Sequence, residues 1–136
     1  MTKTNQQDNA SKPAPWVLIV EDDALVNKAY SAKLTNENIA YKIAEDGETA
    51  ITLLKGGDMP ALILLDLMLP KKNGFEVLEE IKKDGRLKDI PVVIMSNLGQ
   101  EADAKRGIAL GAAEYLIKAN VTIEDIVKKV RRYLDL

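Results

Sequence analysis

The sequence has no cysteine and no histidine among its 136 residues. Without cysteine there are no disulfides, no thiolate metal sites and no cysteine nucleophile. Without histidine there is no Ser-His-Asp triad, no imidazole base and no histidine-ligated metal. No apolar run approaches the ~20 residues that a membrane-spanning helix needs. The longest, near residues 16–20 and 61–69, stop far short of it. The first fifteen residues lack the apolar segment of a signal peptide. An excess of positive charge is missing too: 19 Lys+Arg stand against 21 Asp+Glu, a net charge of -2. A nucleic-acid-binding surface is usually basic. The expectation is a cytoplasmic protein with no membrane contact and no direct nucleic-acid contact. What remains for chemistry is carboxylates, lysine, arginine, hydroxyls and backbone amides.

The length suits one domain, and 46% apolar with 29% charged residues is a globular balance. Residues 1–15 hold no large apolar side chain after Met1 and end in a proline-containing stretch. Such a segment cannot bury enough surface to offset its ordering entropy, so a disordered tail is expected there. A folded domain is expected over residues 16–136. Five short apolar runs follow at fairly even intervals: Trp16–Val20, Ile39–Ala44, Ala61–Leu65, Pro91–Met95 and Glu114–Ile117. Runs of Val, Ile and Leu with little polar alternation suit strands covered on both faces. Helical periodicity fills the gaps. The apolar stripes are Leu25, Tyr30 and Leu34; then Ala50, Ile51, Leu53 and Leu54; then Phe75, Val77, Leu78 and Ile81. Ala104, Ile108 and Leu110 make a fourth, and Ile123, Ile126, Val127, Val130 and Leu134 a fifth. Asp23 can cap the first helix, and Thr122 with Asp125 makes a partial capping box for the last. The fold class is α/β, a (βα)5 parallel sheet with helices on both faces and right-handed crossovers.

In such sheets function sits at the carboxyl ends of the strands. Glu21, Asp22 and Asp23 follow the first strand, Asp66 the third, Ser96 the fourth and Lys118 the fifth. Asp66 ends an apolar run and is followed by Leu67, Met68 and Leu69. A carboxylate in such surroundings has to be paired, metal-bound or protonated. The plainer reading of a strand-end Asp is a turn former or helix cap. The acidic cluster on the neighbouring strand argues for more, since converging carboxylates repel unless a cation lies between them. With oxygen donors alone, Mg2+ is the natural cation. Singly, Ser96 reads as a local backbone bonder, Lys118 as a surface lysine and Tyr115 as a core aromatic with its hydroxyl at the rim.

Taken together, the acidic pair, the D-x-x-x-P-x-x-x-G segment from Asp66 to Gly74, Ser96, Tyr115 and Lys118 resemble the CheY-like receiver domain of two-component response regulators. The intervals fit as well: 44 residues from Asp22 to Asp66, 30 more to Ser96 and 22 more to Lys118. The resemblance spans residues 16–136 and implies the flavodoxin-like strand order 2-1-3-4-5. It implies that Asp66 is the phosphoacceptor. It implies Mg2+ held by Asp22, Asp66 and the backbone carbonyl of Met68, with Glu21 supporting them. Lys118 and Ser96 would bind phosphoryl oxygens. Ser96 and Tyr115 would be the switch, reshaping the face made by the fourth helix, fifth strand and fifth helix. The implied partners are a sensor histidine kinase or phosphotransfer protein upstream and a protein target at that face. The chain would be a monomer or a phosphorylation-dependent dimer, catalysing only its own phosphorylation and dephosphorylation. Met68 and Leu98 would flank the path of the hydrolytic water, and being apolar they would cover the phosphoryl group and prolong its life.

Two positions depart from the pattern. The lysine is followed by Ala119 where proline is usual, so a trans bond is expected there. Asn97 follows Ser96 where a smaller residue is usual. With nothing after the fifth helix for a DNA-binding or enzymatic output, the expectation is a single-domain regulator or a receiver excised from a longer chain. A non-phosphorylated receiver-like interaction module is the alternative. An aspartyl-phosphate phosphohydrolase would carry a second Asp where Met68 stands. A flavodoxin would need a Ser/Thr-rich loop where Glu21-Asp22-Asp23 stands. Trp16, at the amino end of the first strand, should lie far from the acidic cluster.

Overall fold

The computed structural model describes residues 14–136, so most of the tail expected over residues 1–15 lies outside the described residues. Five strands, β1 (Trp16–Val20), β2 (Ala40–Ala44), β3 (Leu62–Leu65), β4 (Val92–Ser96) and β5 (Glu114–Ile117), form one parallel sheet. Its order is β2-β1-β3-β4-β5. Between them run α1 (Ala24–Asn36), α2 (Gly47–Lys55), α3 (Gly74–Lys83) and α4 (Glu101–Ala109), and α5 (Ile123–Leu134) closes the chain. The α/β fold class and strand order are those implied by the resemblance.

Strand side chains alternate between two cores. Val17, Ile19, Leu62, Leu64, Val93 and Met95 face α1 and α5. Leu18, Val20, Ile63, Leu65, Val92 and Ile94 face α2 and α3. Both faces are covered, which is why the strands read as unbroken apolar runs. The register brings the strand ends level: Val20 lies opposite Ala44 and Leu65, and Leu65 opposite Ile94. Glu21 and Asp66 therefore emerge side by side, and the Asp66 N–H bonds the Val20 carbonyl at 3.0 Å.

Two helical stripes differ from the expectation. On α1 the buried face is Asn27, Tyr30 and Leu34, while Leu25 is 77% exposed. The spacings of three and four that join Asn27, Tyr30 and Leu34 leave Leu25 outside the face. On α4 only Gly107 is buried, and Ile108 is 49% exposed. A Cβ on Gly107 would fall 2.6 Å from Ile94 Cδ1, so the helix meets the sheet through bare backbone and its larger side chains turn outward. The second strand also starts one residue late. Ile39 is drawn into the end of α1, its N–H bonding the Leu34 carbonyl at 2.9 Å behind the left-handed Asn38. The Thr122–Asp125 capping box is complete, with both reciprocal bonds formed.

Candidate functional site

The chain turns sharply at each strand end, and local hydrogen bonds explain the turns. After β1, Asp23 caps α1 by accepting from the Leu25 and Val26 N–H groups. After β3, the Asp66 carboxylate accepts from the Met68 N–H at 3.1 Å. The chain then folds back so that the Gly74 N–H bonds the Leu67 carbonyl at 2.9 Å. Gly74 is required by proximity, since a Cβ there would meet the Asp66 carbonyl oxygen at 2.4 Å. Asn73 and Glu76 then start α3 with a reciprocal capping box. After β4, the Leu98 N–H donates to Ser96 Oγ at 3.1 Å. After β5, Lys118–Asn120 forms one 3-10 turn, and no peptide among the described residues is cis, so the Lys118–Ala119 bond is trans.

These turns bring Glu21, Asp22 and Asp66 together, each offering a carboxylate oxygen within 4.8 Å of the others. Glu21 and Asp66 are buried, and Asp22 is exposed. Lys118 reaches in from the β5 end, its Nζ donating to Asp66 Oδ2 at 2.9 Å and to Glu21 Oε1. The ammonium thus stands as counter-cation between two buried carboxylates. Burial opposes the Lys118 charge, but the bonds from Glu21 and Asp66 outweigh it and raise its pKa. Burial raises the pKa of Glu21, against the pull of the Lys118 and Asp23 hydrogen bonds. The donor set suits a hard divalent cation: carboxylate oxygens only, converging, with Asp22 open to solvent.

Ser96 is fully buried. Tyr115 is partly buried, and its hydroxyl donates to the Leu98 carbonyl at 2.6 Å. Burial first, and then the nearby Asp103 and Asp66 charges, raise its pKa. Glu21, Asp22, Asp66 and Lys118 therefore converge, while Ser96 and Tyr115 are joined to each other through Leu98. The two apolar positions expected to flank the water path differ. Leu98 packs against the core, but Met68 is 61% exposed. The turn that gives the Met68 N–H to Asp66 leaves its side chain in solvent. Trp16 sits at the opposite edge, with Lys42 Nζ 4.6 Å from its ring centroid.

Three participants escaped the sequence reading. Asn27 is buried and its amide donates to the Glu21 carbonyl at 2.8 Å, fixing the backbone of the acidic turn. Its signal was a polar residue on the face shared with Tyr30. The Leu98 carbonyl has no signature, because any residue has one. Gly47, next to the segment after Asp66 through space, was visible only as an Asp-Gly pair after the second strand.

A family profile described as the response regulator receiver domain matches residues 17–131. Among curated relatives, the DNA-binding dual master transcriptional regulator RpaA of Synechocystis is 36% identical over 125 residues, 88% of this chain and 49% of that protein. The transcriptional regulatory protein CpxR of Klebsiella pneumoniae is 35% identical over 118 residues, 87% of this chain and 48% of that one. The chain thus spans about half the length of these relatives. Among solved structures, the phosphorylated cyanobacterial phytochrome response regulator RcpA superposes with a TM-score of 0.79 at 32% identity, covering 90% of this chain and 94% of that one. The Mn2+-bound form of response regulator Rcp1 gives a TM-score of 0.74 at 35% identity, covering 87% and 90%.

Proposed function

Because the chain belongs to the response regulator receiver domain family, we propose that it is a Mg2+-dependent phosphoryl switch with Asp66 as the acceptor. The observation that carries this reading is the convergence of the Glu21, Asp22 and Asp66 carboxylates around the Lys118 ammonium. The similarity to a phosphorylated receiver and to one in a Mn2+-bound form supports it.

In this mechanism a carboxylate oxygen of Asp66 attacks the phosphorus of a phosphohistidine or small acyl phosphate. The bond from phosphorus to the donor atom breaks, its electron pair leaves with the donor, and an acyl phosphate remains on Asp66. Such a transfer asks the protein mainly for positioning and for charge opposite the phosphoryl oxygens. When bound by Asp22, Asp66 and the Met68 carbonyl, with Glu21 in support, Mg2+ would supply positive charge on one side of the phosphoryl group. Lys118 supplies it on the other, releasing Glu21 as it turns to a phosphoryl oxygen. The Ser96 hydroxyl donates to another oxygen, and swinging toward it draws Oγ away from the Leu98 N–H that it now accepts from. Because Leu98 also holds the Tyr115 hydroxyl, that exchange is passed to β5.

The donor is a sensor histidine kinase or phosphotransfer protein, and the readout is a protein target at the α4–β5–α5 face, in the cytoplasm. The chain acts as a monomer or as a dimer formed on phosphorylation, and turns over no separate substrate. The test is intact-mass analysis after incubation with a small acyl phosphate. Wild-type protein should gain one phosphoryl group with Mg2+ and none with a chelator, and Asp66→Asn should gain none. A wild-type chain that stays unmodified with Mg2+ would instead support a receiver-like module that works without phosphorylation.

A further inference from the structure

Gly47 is the first residue of α2, directly after the N-cap Asp46, and it is buried. Its φ is not among the positive ones of the described residues, so conformation does not demand glycine. Space does. A Cβ at position 47 would stand 2.1 Å from the Lys72 carbonyl oxygen, 2.8 Å from Lys72 Cβ and 2.8 Å from Val77 Cγ2. The nearest of these is a backbone atom, so no change of rotamer relieves the clash.

Lys72 belongs to the segment that carries the acceptor. That segment is tight throughout. The Lys71 backbone is held at φ 67, and the Lys72 N–H bonds the Pro70 carbonyl at 2.8 Å. Gly74 closes the far end against the Asp66 and Leu67 backbone. Side chains add to the seam: Asp46 pairs with Lys71 at 3.6 Å, and Glu80 pairs with Lys72 and, at 3.8 Å, with Lys55. Partly exposed pairs of this kind are weak individually. Backbone contact at Gly47 is the hard stop.

We propose that Gly47 is a positioning residue for the acceptor segment. By letting the start of α2 press on the Lys72 carbonyl, it sets where residues 66–74 stand relative to Glu21 and Asp22. The Met68 backbone lies within that segment. The inference rests on the reading of the site as a Mg2+-dependent phosphoryl acceptor. It assigns to a residue with no functional side chain a control over how well the two acidic turns match one cation.

The test uses the full chain and compares Gly47→Ala with Ile51→Val, a core change in the same helix. Mg2+ binding is followed by isothermal titration and by the rise in Tm with added Mg2+. Phosphorylation by a small acyl phosphate is followed at saturating Mg2+. Gly47→Ala should raise the Mg2+ needed for half-saturation by about 10-fold, the size of loss seen when the groups that orient a metal's ligands are disturbed. Its phosphorylation at saturating Mg2+ should be slower than wild type, because Asp66 is carried by the same segment. Ile51→Val should lower the Mg2+-free Tm and leave half-saturation unmoved. If Gly47→Ala does not fold, Lys71→Gly, which relaxes the segment without adding an atom, should raise the Mg2+ requirement in the same direction. Unchanged half-saturation in whichever variant folds, beside a wild type that binds Mg2+, overturns this inference alone. A wild type that neither binds Mg2+ nor takes up phosphoryl overturns the functional reading beneath it.

Discussion

Helix α3 buries five of its ten residues and opens with a reciprocal capping box. Helix α4 buries one of its nine, a glycine, and its N-cap Gln100 makes no side-chain capping bond. Both helices follow strands that deliver a residue of the site, yet one is fastened to the sheet and the other rests on it. On the α3 side, Gly47, Gly74, Leu67 and Val77 lock the segment after Asp66 against two helices. On the α4 side, Ser96, Leu98 and Tyr115 are joined mainly by two hydrogen bonds. On the proposed reading, a new charge on Asp66 would be felt mainly through α4 and β5, the more lightly packed half of the site. Mobile elements of switches are drawn from the less stable part of a fold.

The comparison is broken or sharpened most strongly by truncating one side chain in each helix. Leu78→Ala should cost about 2–5 kcal/mol, because the site is fully buried. Ile108→Ala, half exposed, should change stability by no more than about 0.5 kcal/mol. Urea unfolding measures both, and similar losses would remove the asymmetry. Next in size is Gly107→Ala. Overpacking costs about 1–3 kcal/mol and replacing a helical glycine returns about 1 kcal/mol, so the net loss should be about 1 kcal/mol. The clash is with the end of Ile94, a flexible group, so a small loss in Tm is expected. A gain in Tm would show that α4 is not seated by this approach.

A smaller effect separates the two helix starts. Asn73→Ala should cost about 1 kcal/mol by removing a cap. Gln100→Asp should add about 0.5 kcal/mol to α4, where a cap is missing. Amide exchange in the first turn of α4 should slow in Gln100→Asp, and unchanged exchange would mean that the turn is already held. The smallest effect is a pH dependence at the β5–α5 seam. Glu114 accepts from Lys129 at 2.6 Å and from the Tyr133 hydroxyl at 2.5 Å. Burial opposes the Glu114 charge, but these bonds outweigh it and lower its pKa below the usual 4.5. Its contribution to stability is therefore present above that value and fades as pH falls through the lowered folded one. Tyr133 is pushed up to about 12 by burial and by its bond to Glu114. The protonated hydroxyl contributes fully below pH about 10 and loses that contribution as pH rises through about 12. Tyr133→Phe should shrink the alkaline limb of the Tm–pH curve without abolishing it, because burial also pushes Tyr30 up to about 12. An unchanged limb would show that Tyr133 contributes nothing to it.

What could be read from the sequence was whatever is written along one strand and its end. Asp66 stood out because it closes the buried run Leu62–Leu65, and Glu21 because it follows Trp16–Val20. Lys118 and Ser96 were placed by spacing and resemblance. Contacts between distant segments were not legible. Gly47 matters because Lys72 comes to it through space, and Asn27 because the Glu21 carbonyl does. The faces of α1 and α4 were misjudged for a related reason. Leu25 and Ile108 are apolar, but a buried Asn27 and a bare Gly107 decide which way those helices turn. Met68 was expected to cover the acceptor, and a backbone bond to Asp66 leaves it in solvent.

Deuterium exchange of the whole chain, with and without Mg2+ and a beryllofluoride phosphoryl mimic, tests the account most directly. The account predicts slower exchange around residues 21–23 and 66–68, changed exchange through α4 and β5, and little change in α2 and α3. No difference on adding the mimic, or a change centred on α2 and α3 with α4 and β5 silent, would contradict it.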